Sequence, residues 1–177
     1  MIRSPARIRA IRRKTFTPER LTKGITVRLG RLPKGAEPES LPPKALRWLV
    51  KIETADGGYY RPIGSNGFYK RGGKRALFDQ QPIEAQSMVS ACLESYRATS
   101  DDYWFGQARR AFDWFLGRND LGLFLYDPKT GGCRDGLHVD RLNQNQGAES
   151  TLAFLISLAE MQHAHNELAA FKSAPAA

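Results

Sequence analysis

An all-α fold built from helical hairpins follows from three observations on this 177-residue chain. Three segments between residues 82 and 171 repeat apolar side chains at helical spacing. Proline, Ser/Thr and acidic residues stand where helices start, and the connecting stretches are glycine-rich and polar. Strand-like alternation is scarce, Leu121 to Tyr126 being the best and a short candidate.

Residues 1–45 read as a basic, mostly disordered arm. They lack helical or alternating periodicity and are punctuated by Pro5, Pro18, Pro33, Pro38, Pro42 and Pro43. Residues 1–35 carry eleven Lys or Arg against Glu19 alone, a balance of +10 within a chain of net charge +9. The basic character therefore belongs to the head, and residues 36–177 sum to −1. The arm has no apolar core of the length a secretory signal needs.

Residues 46–171 read as the helical domain and 172–177 as a tail. Lys44 to Ile52 is a short amphipathic segment with Leu46, Leu49 and Val50 on one face. A loop from Thr54 to Phe78 follows, marked by Gly57-Gly58, Asn66-Gly67 and Gly72-Gly73. The first long helix spans about Pro82 to Ala98, with Ala85, Met88/Val89, Cys92 and Tyr96 in register and Pro82 in its first turn. Thr99 and Ser100 offer caps for the second, Asp101 to about Gly117, whose stripe is Tyr103/Trp104, Ala108, Ala111/Phe112 and Phe115. A long loop, Arg118 to Gln146, leads to the third, about Gly147 to Phe171, with Leu152, Leu155, Leu158/Ala159 and Gln162 assigned to its buried stripe.

No apolar run approaches the ~18 residues of a membrane span. Cys92 and Cys133 make no disulfide framework and have no zinc-ligand spacing, which fits free thiols in a reducing cytoplasm. His163 and His165, two apart on a helix, face different ways and make no metal pair. Gly72-Gly73-Lys74-Arg75 lacks the spacing of a phosphate loop, and no Gly-x-Ser-x-Gly elbow occurs. Neither a metal nor a cofactor is implied.

Two loop-to-helix junctions concentrate polar groups. The first, residues 78–85, holds Asp79, Gln80, Gln81 and Glu84; Tyr60, Arg61 and Arg75 precede it. The second, residues 135–151, holds Asp135, His138, Asn143, Asn145 and Glu149. Sugars present vicinal hydroxyls to carboxylate, amide and guanidinium groups and apolar faces to aromatic rings, and both ingredients occur here. Glycoside chemistry needs two carboxyl groups ~5–9.5 Å apart. Asp79, Glu84, Asp135 and Glu149 are the candidates for that pair. Tyr60, Arg61, Arg75, Gln80, Gln81, His138, Asn143 and Asn145 are the candidate substrate contacts. The same residues also have plainer uses. Asp79 and Glu149 suit helix caps, the asparagines suit turns, the tyrosines suit packing, and His138 suits the surface.

The stretches YRPIGSNGFYKRGGKRALFDQQPIEA (60–85), RRAFDWFLGRNDLGLFLYDPKTGGCRDGLH (109–138) and NQNQGAESTLAFLISLAEM (143–161) carry a family resemblance. They resemble the helical C-terminal region of certain bacterial group-1 glycosyltransferases, which is similar to the six-hairpin (α/α)-toroid glycosidase superfamily. The resemblance covers residues 57–162. It implies a partial (α/α) toroid and sugar binding or glycosidic-bond chemistry, and it assigns no catalytic role to any residue. In those proteins two Rossmann-like domains precede the helical region. Residues 1–56 show no strand–helix alternation of that kind, and three or four helices cannot close a ring that takes roughly twelve, so the chain reads as a piece of the architecture. A saccharide ligand is the expected partner, together with self-association through helix faces left uncovered, among them those of Trp104, Phe105, Phe112, Trp114, Phe115 and Phe154. The rival reading is a non-enzymatic protein whose arm contacts nucleic acid or an anionic membrane. Phe16 is the arm's one aromatic residue, which leaves little for base stacking and makes nucleic acid the weaker choice.

Overall fold

The computed structural model describes residues 42–70 and 72–173, so the basic arm and the tail beyond Ser173 lie outside the described residues. The described residues are all-α: α1 is Pro42–Ile52, α2 Pro82–Thr99, α3 Asp102–Phe115 and α4 Ala148–Ser173. Among them no strand forms. The Leu121–Tyr126 candidate is instead held by two isolated antiparallel bridges, Leu116 with Phe124 and Tyr126 with Cys133.

The α2–α3 hairpin turns in two residues. Ser100 takes a left-handed conformation (φ 54°) and returns its N–H to Tyr96 O, ending α2. Asp101, rather than Thr99 or Ser100, caps α3 by accepting from Tyr103 N at 3.0 Å. At the far end α3 stops at Phe115 because Gly117 adopts φ 92°, while the Leu116 and Arg118 N–H groups close on Asp113 O, both at 3.0 Å.

Helix α4 packs on both members of the hairpin, and its direction can be read from its partners. Ser90 Oγ donates to Glu160 at 2.6 Å and Arg97 pairs with Glu167 at 3.6 Å, both across the same offset in sequence, so α2 and α4 run parallel. Phe112 and Phe115 meet Phe154 at ring separations of 6.0 and 5.5 Å, whereas Phe105 lies with Met161 and His165, so α3 runs antiparallel to α4. The N-termini of α2 and α4 and the C-termini of α1 and α3 therefore share one end, where the loops 53–81 and 116–147 gather.

The core is centred on Trp104, Trp114, Tyr60, Phe115, Leu93, Leu125 and Leu137, each essentially inaccessible. Two expectations are corrected here. Trp104, Phe112, Trp114, Phe115 and Phe154 are buried and Phe105 is partly buried, so they form no exposed patch. The buried line of α4 is Ser150, Ala153/Phe154, Ser157, Met161 and Ala164, while Leu152, Leu155 and Ile156 are 56%, 44% and 42% exposed. Ser157 fits the core because its hydroxyl donates to Ala153 O at 2.8 Å, which frees the aromatic cluster to set the helix's phase. Among the described residues no helix is long and apolar enough to cross a membrane.

Candidate functional site

The two polar junctions meet. Gln80 and Leu137 exchange both backbone hydrogen bonds at 3.0 Å, joining residues 78–81 to residues 135–138. Gly136 makes this approach possible, since a Cβ there would stand 2.7 Å from Gln80 O. Beside the bridge, His138 Nδ1 lies 2.5 Å from Asp79 Oδ1, and the His138 N–H donates to Arg141 O at 2.9 Å. The His138 hydrogen bond holds the Asp79 carboxyl below its usual range. Gln81, exposed, and Asn143, partly buried, flank this pair, and the Asn143 N–H donates to Gly136 O at 2.9 Å.

Asp135 faces the start of α4. It accepts from Gly147 N at 2.6 Å and from the Asn145 side chain. Burial opposes its charge, but hydrogen bonds from Ser150, Gly147 and Asn145 outweigh that and keep it ionised. An anion at a helix N-terminus is stabilised by the unpaired N–H groups there, so Asp135 and Asn145 order the loop against the helix. Glu149, in the first turn of α4, is exposed. Geometry therefore groups Asp79 with His138, Asp135 with the α4 terminus and Glu84 with the α1–α2 pocket.

A second network runs beneath the loops and centres on Asp120, which sequence reasoning missed. Its carboxylate accepts from Tyr59 Oη (2.6 Å), Arg61 Nε (2.8 Å), the Arg61 terminal nitrogen and Gln80 Nε2 (2.6 Å). Gln80, fully buried, also donates to Leu77 O and accepts from Trp114 Nε1, both at 2.8 Å. Desolvation works against the Asp120 charge, and the bonds from Arg61, Tyr59 and Gln80 overcome it. Arg61 and Gln80, taken from sequence as ligand contacts, are thus occupied in tying the 53–61 loop to the core. Arg75 donates to Ile52 O, and Tyr60 is buried.

The third group is a pocket of about 340 Å³ between α1 and α2, lined by Leu46, Leu49, Glu53, Ile83, Glu84, Ser87, Met88 and Ala91. Glu53 is 5% exposed, and Glu84 is partly buried. Burial pushes both carboxyl groups up to about 7, with the charge of Glu84 adding to the effect on Glu53. Among the described residues, Oε2 of Glu53, Oε2 of Glu84 and the Tyr60 hydroxyl are buried without a well-formed hydrogen bond. Glu53 had a signal in the sequence: it falls at helical spacing after Leu46 and Leu49/Val50, an acid on an apolar stripe. Asp120 had none beyond its place in a turn. Among the described residues no three His, Cys, Asp or Glu side chains are grouped to hold a metal ion.

No protein-family model matches the chain, and no curated protein matches it at a significant level.

Proposed function

We propose that the helical domain is a partial (α/α) toroid that binds a saccharide at its loop end. The observation that carries this reading is the helix arrangement: α2 and α4 run parallel and adjacent, with α3 antiparallel to both. Consecutive hairpins of an (α/α) ring are disposed in this way, with their functional loops at one end. Leu152, Leu155 and Ile156 leave an exposed apolar face on α4 that a further helix would cover, which supports the reading. At the loop end, Asp79, Gln81, His138 and Asn143 supply carboxylate, amide and imidazole groups of the kinds that hydrogen-bond vicinal hydroxyls.

Binding is the activity this geometry favours over hydrolysis. Asp79 is held ionised by His138 and Asp135 by the α4 terminus, so neither is poised to donate a proton at neutral pH. Glu84 is more easily protonated, but it lines the α1–α2 pocket. Calorimetry against a panel of neutral and acidic oligosaccharides tests the reading. Asp79→Asn and Asn143→Ala should each weaken the best ligand by about 1–2 kcal/mol with the melting temperature retained. Binding that neither variant alters would remove the loop end as the site.

A further inference from the structure

Charge is divided within the helical body. Residues 42–78 hold eight Lys or Arg against Glu53 and Asp56, a balance of +6, while residues 79–177 balance at −5. Of the two acids, Glu53 is buried and Asp56 lies within electrostatic reach of Arg75. Three of the cations are spent on the protein itself: Arg47 on Asp101 at 2.9 Å, Arg61 on Asp120 at 2.8 Å, and Arg75 on Ile52 O. Lys44, Lys51, Lys70 and Lys74 are exposed, and among the described residues none of the four is in an ion pair.

These lysines stand beside exposed rings. Lys44, Trp48 and Lys51 follow one another at helical spacing on the outer face of α1, opposite Leu46, Leu49 and Val50, which pack inward. Trp48 is 46% exposed, and its ring centroid lies 6.1 Å from that of Tyr69, which joins α1 to a hairpin running from Phe68 to Ala76. Ala76 N donates to Phe68 O at 2.9 Å and Gly73 N to Lys70 O at 2.8 Å, so Lys70 and Lys74 flank the hairpin's turn. Phe68 holds a left-handed backbone (φ 53°), which costs free energy at a residue other than glycine. At 65% its side chain is the most exposed large hydrophobic one among the described residues.

We propose that this surface binds single-stranded nucleic acid, its bases stacking on Trp48 and Phe68 and its phosphates meeting Lys44, Lys51, Lys70 and Lys74. Every base offers a π-face and every nucleotide a negative charge, which matches open rings set among unpaired ammonium groups. The basic arm adds attraction that is independent of sequence but carries one aromatic residue, Phe16, so the stacking platform comes from this surface. An anionic membrane fits less well. An interfacial helix sinks its apolar face into lipid, whereas that face of α1 is already packed against the core.

The probes are the oligonucleotide dT12 and an abasic deoxyribose-phosphate 12-mer of the same charge, titrated into the full chain by fluorescence anisotropy at several salt concentrations. The dT12 strand should bind about tenfold or more tightly than the abasic one. It should also quench tryptophan emission accessible to solvent, which reports on Trp48 because Trp104 and Trp114 are buried. Trp48→Ala and Phe68→Ala should each lower dT12 affinity about fivefold or more, leave the abasic strand unaffected and keep the helical circular-dichroism signal. Lys51→Ala and Lys70→Ala should weaken both strands and reduce the salt slope by about 0.7 each. The arm is present in every variant, so its charge cancels from these comparisons. Should one ring variant fail to fold, the other decides. Equal binding of the two strands, dT12 binding that neither ring variant alters, or capture by phosphatidylglycerol vesicles that depends on Phe68 while dT12 shows no preference would each overturn the proposal. Saccharide binding at the loop end is measured with different ligands and variants, so the two readings fail separately.

Discussion

Replacing Glu53 by Gln should stabilise the protein above pH 7 and leave it nearly unchanged at pH 4. Burial raises the Glu53 carboxyl from 4.5 to about 7. Between those values the folded protein keeps a proton that the unfolded chain has released, so stability falls as pH rises through this window and levels off above it. The difference corresponds to about 3 kcal/mol, an upper figure because local relaxation and water reduce it. Glu84 acts in the same direction by less, since it is partly exposed. Glutamine keeps the shape of the protonated acid and cannot ionise. Urea unfolding at pH 4, 5, 6, 7 and 8 should show a gain for Glu53→Gln that grows from near zero at the lowest pH to on the order of 2–3 kcal/mol, or about 3–5 °C in Tm per kcal/mol. A gain that is constant across pH, or greatest at pH 5, would refute the reasoning, because a packing change has no proton linkage.

Three further outcomes follow from single contacts. Gly106 lies in α3 with nothing within 4 Å of a Cβ, so Gly106→Ala should add about 1 kcal/mol, whereas Gly136→Ala should destabilise by more than that through collision with Gln80 O; thermal melts compare the two. On α4, Phe154→Ala should cost about 3–5 kcal/mol and Leu155→Gln less than about 0.5 kcal/mol in denaturant unfolding, the reverse of what a Leu152/Leu155 core stripe requires. Asp120→Asn removes the charge that satisfies Arg61 and should cost about 2–4 kcal/mol, with hydrogen exchange quickening in residues 53–61 before it does in α2.

Helix positions were legible because they depend on local spacing and caps. The expected spans for α2, α3 and α4 differ from the observed ones by one or two residues at most ends, the extent of helix-end ambiguity. The phase of α4 was not legible. Leu152, Leu155 and Ile156 are the more hydrophobic choice, yet Phe154 is drawn inward by stacking on Tyr126 and Phe112 from other segments, at 4.4 and 6.0 Å. That the two polar junctions adjoin follows from hairpin topology, but the division of labour within them does not. Gln80 looks like an adaptable surface amide and is a buried tie, because its partners Trp114 and Asp120 are far along the chain. Glu53 stands at a helix end, yet its register after Leu46 and Leu49/Val50 places it on the buried side.

The ties at the loop end also bear on how the chain reaches this state. Helix pairs joined by a two-residue turn assemble through near-neighbour contacts, and α2 with α3 is such a pair. The links between Tyr59 and Asp120, Arg61 and Asp120, and Gln80 and Leu137 instead close segments of 61, 59 and 57 residues. An all-helical protein with this wiring should collapse to the hairpin quickly and acquire its loop surface late. In native-state exchange the amides of Gln80 and Leu137 should then open together, at a lower free energy than those of α2, so the polar end forms a separate cooperative unit on an otherwise intact helical frame.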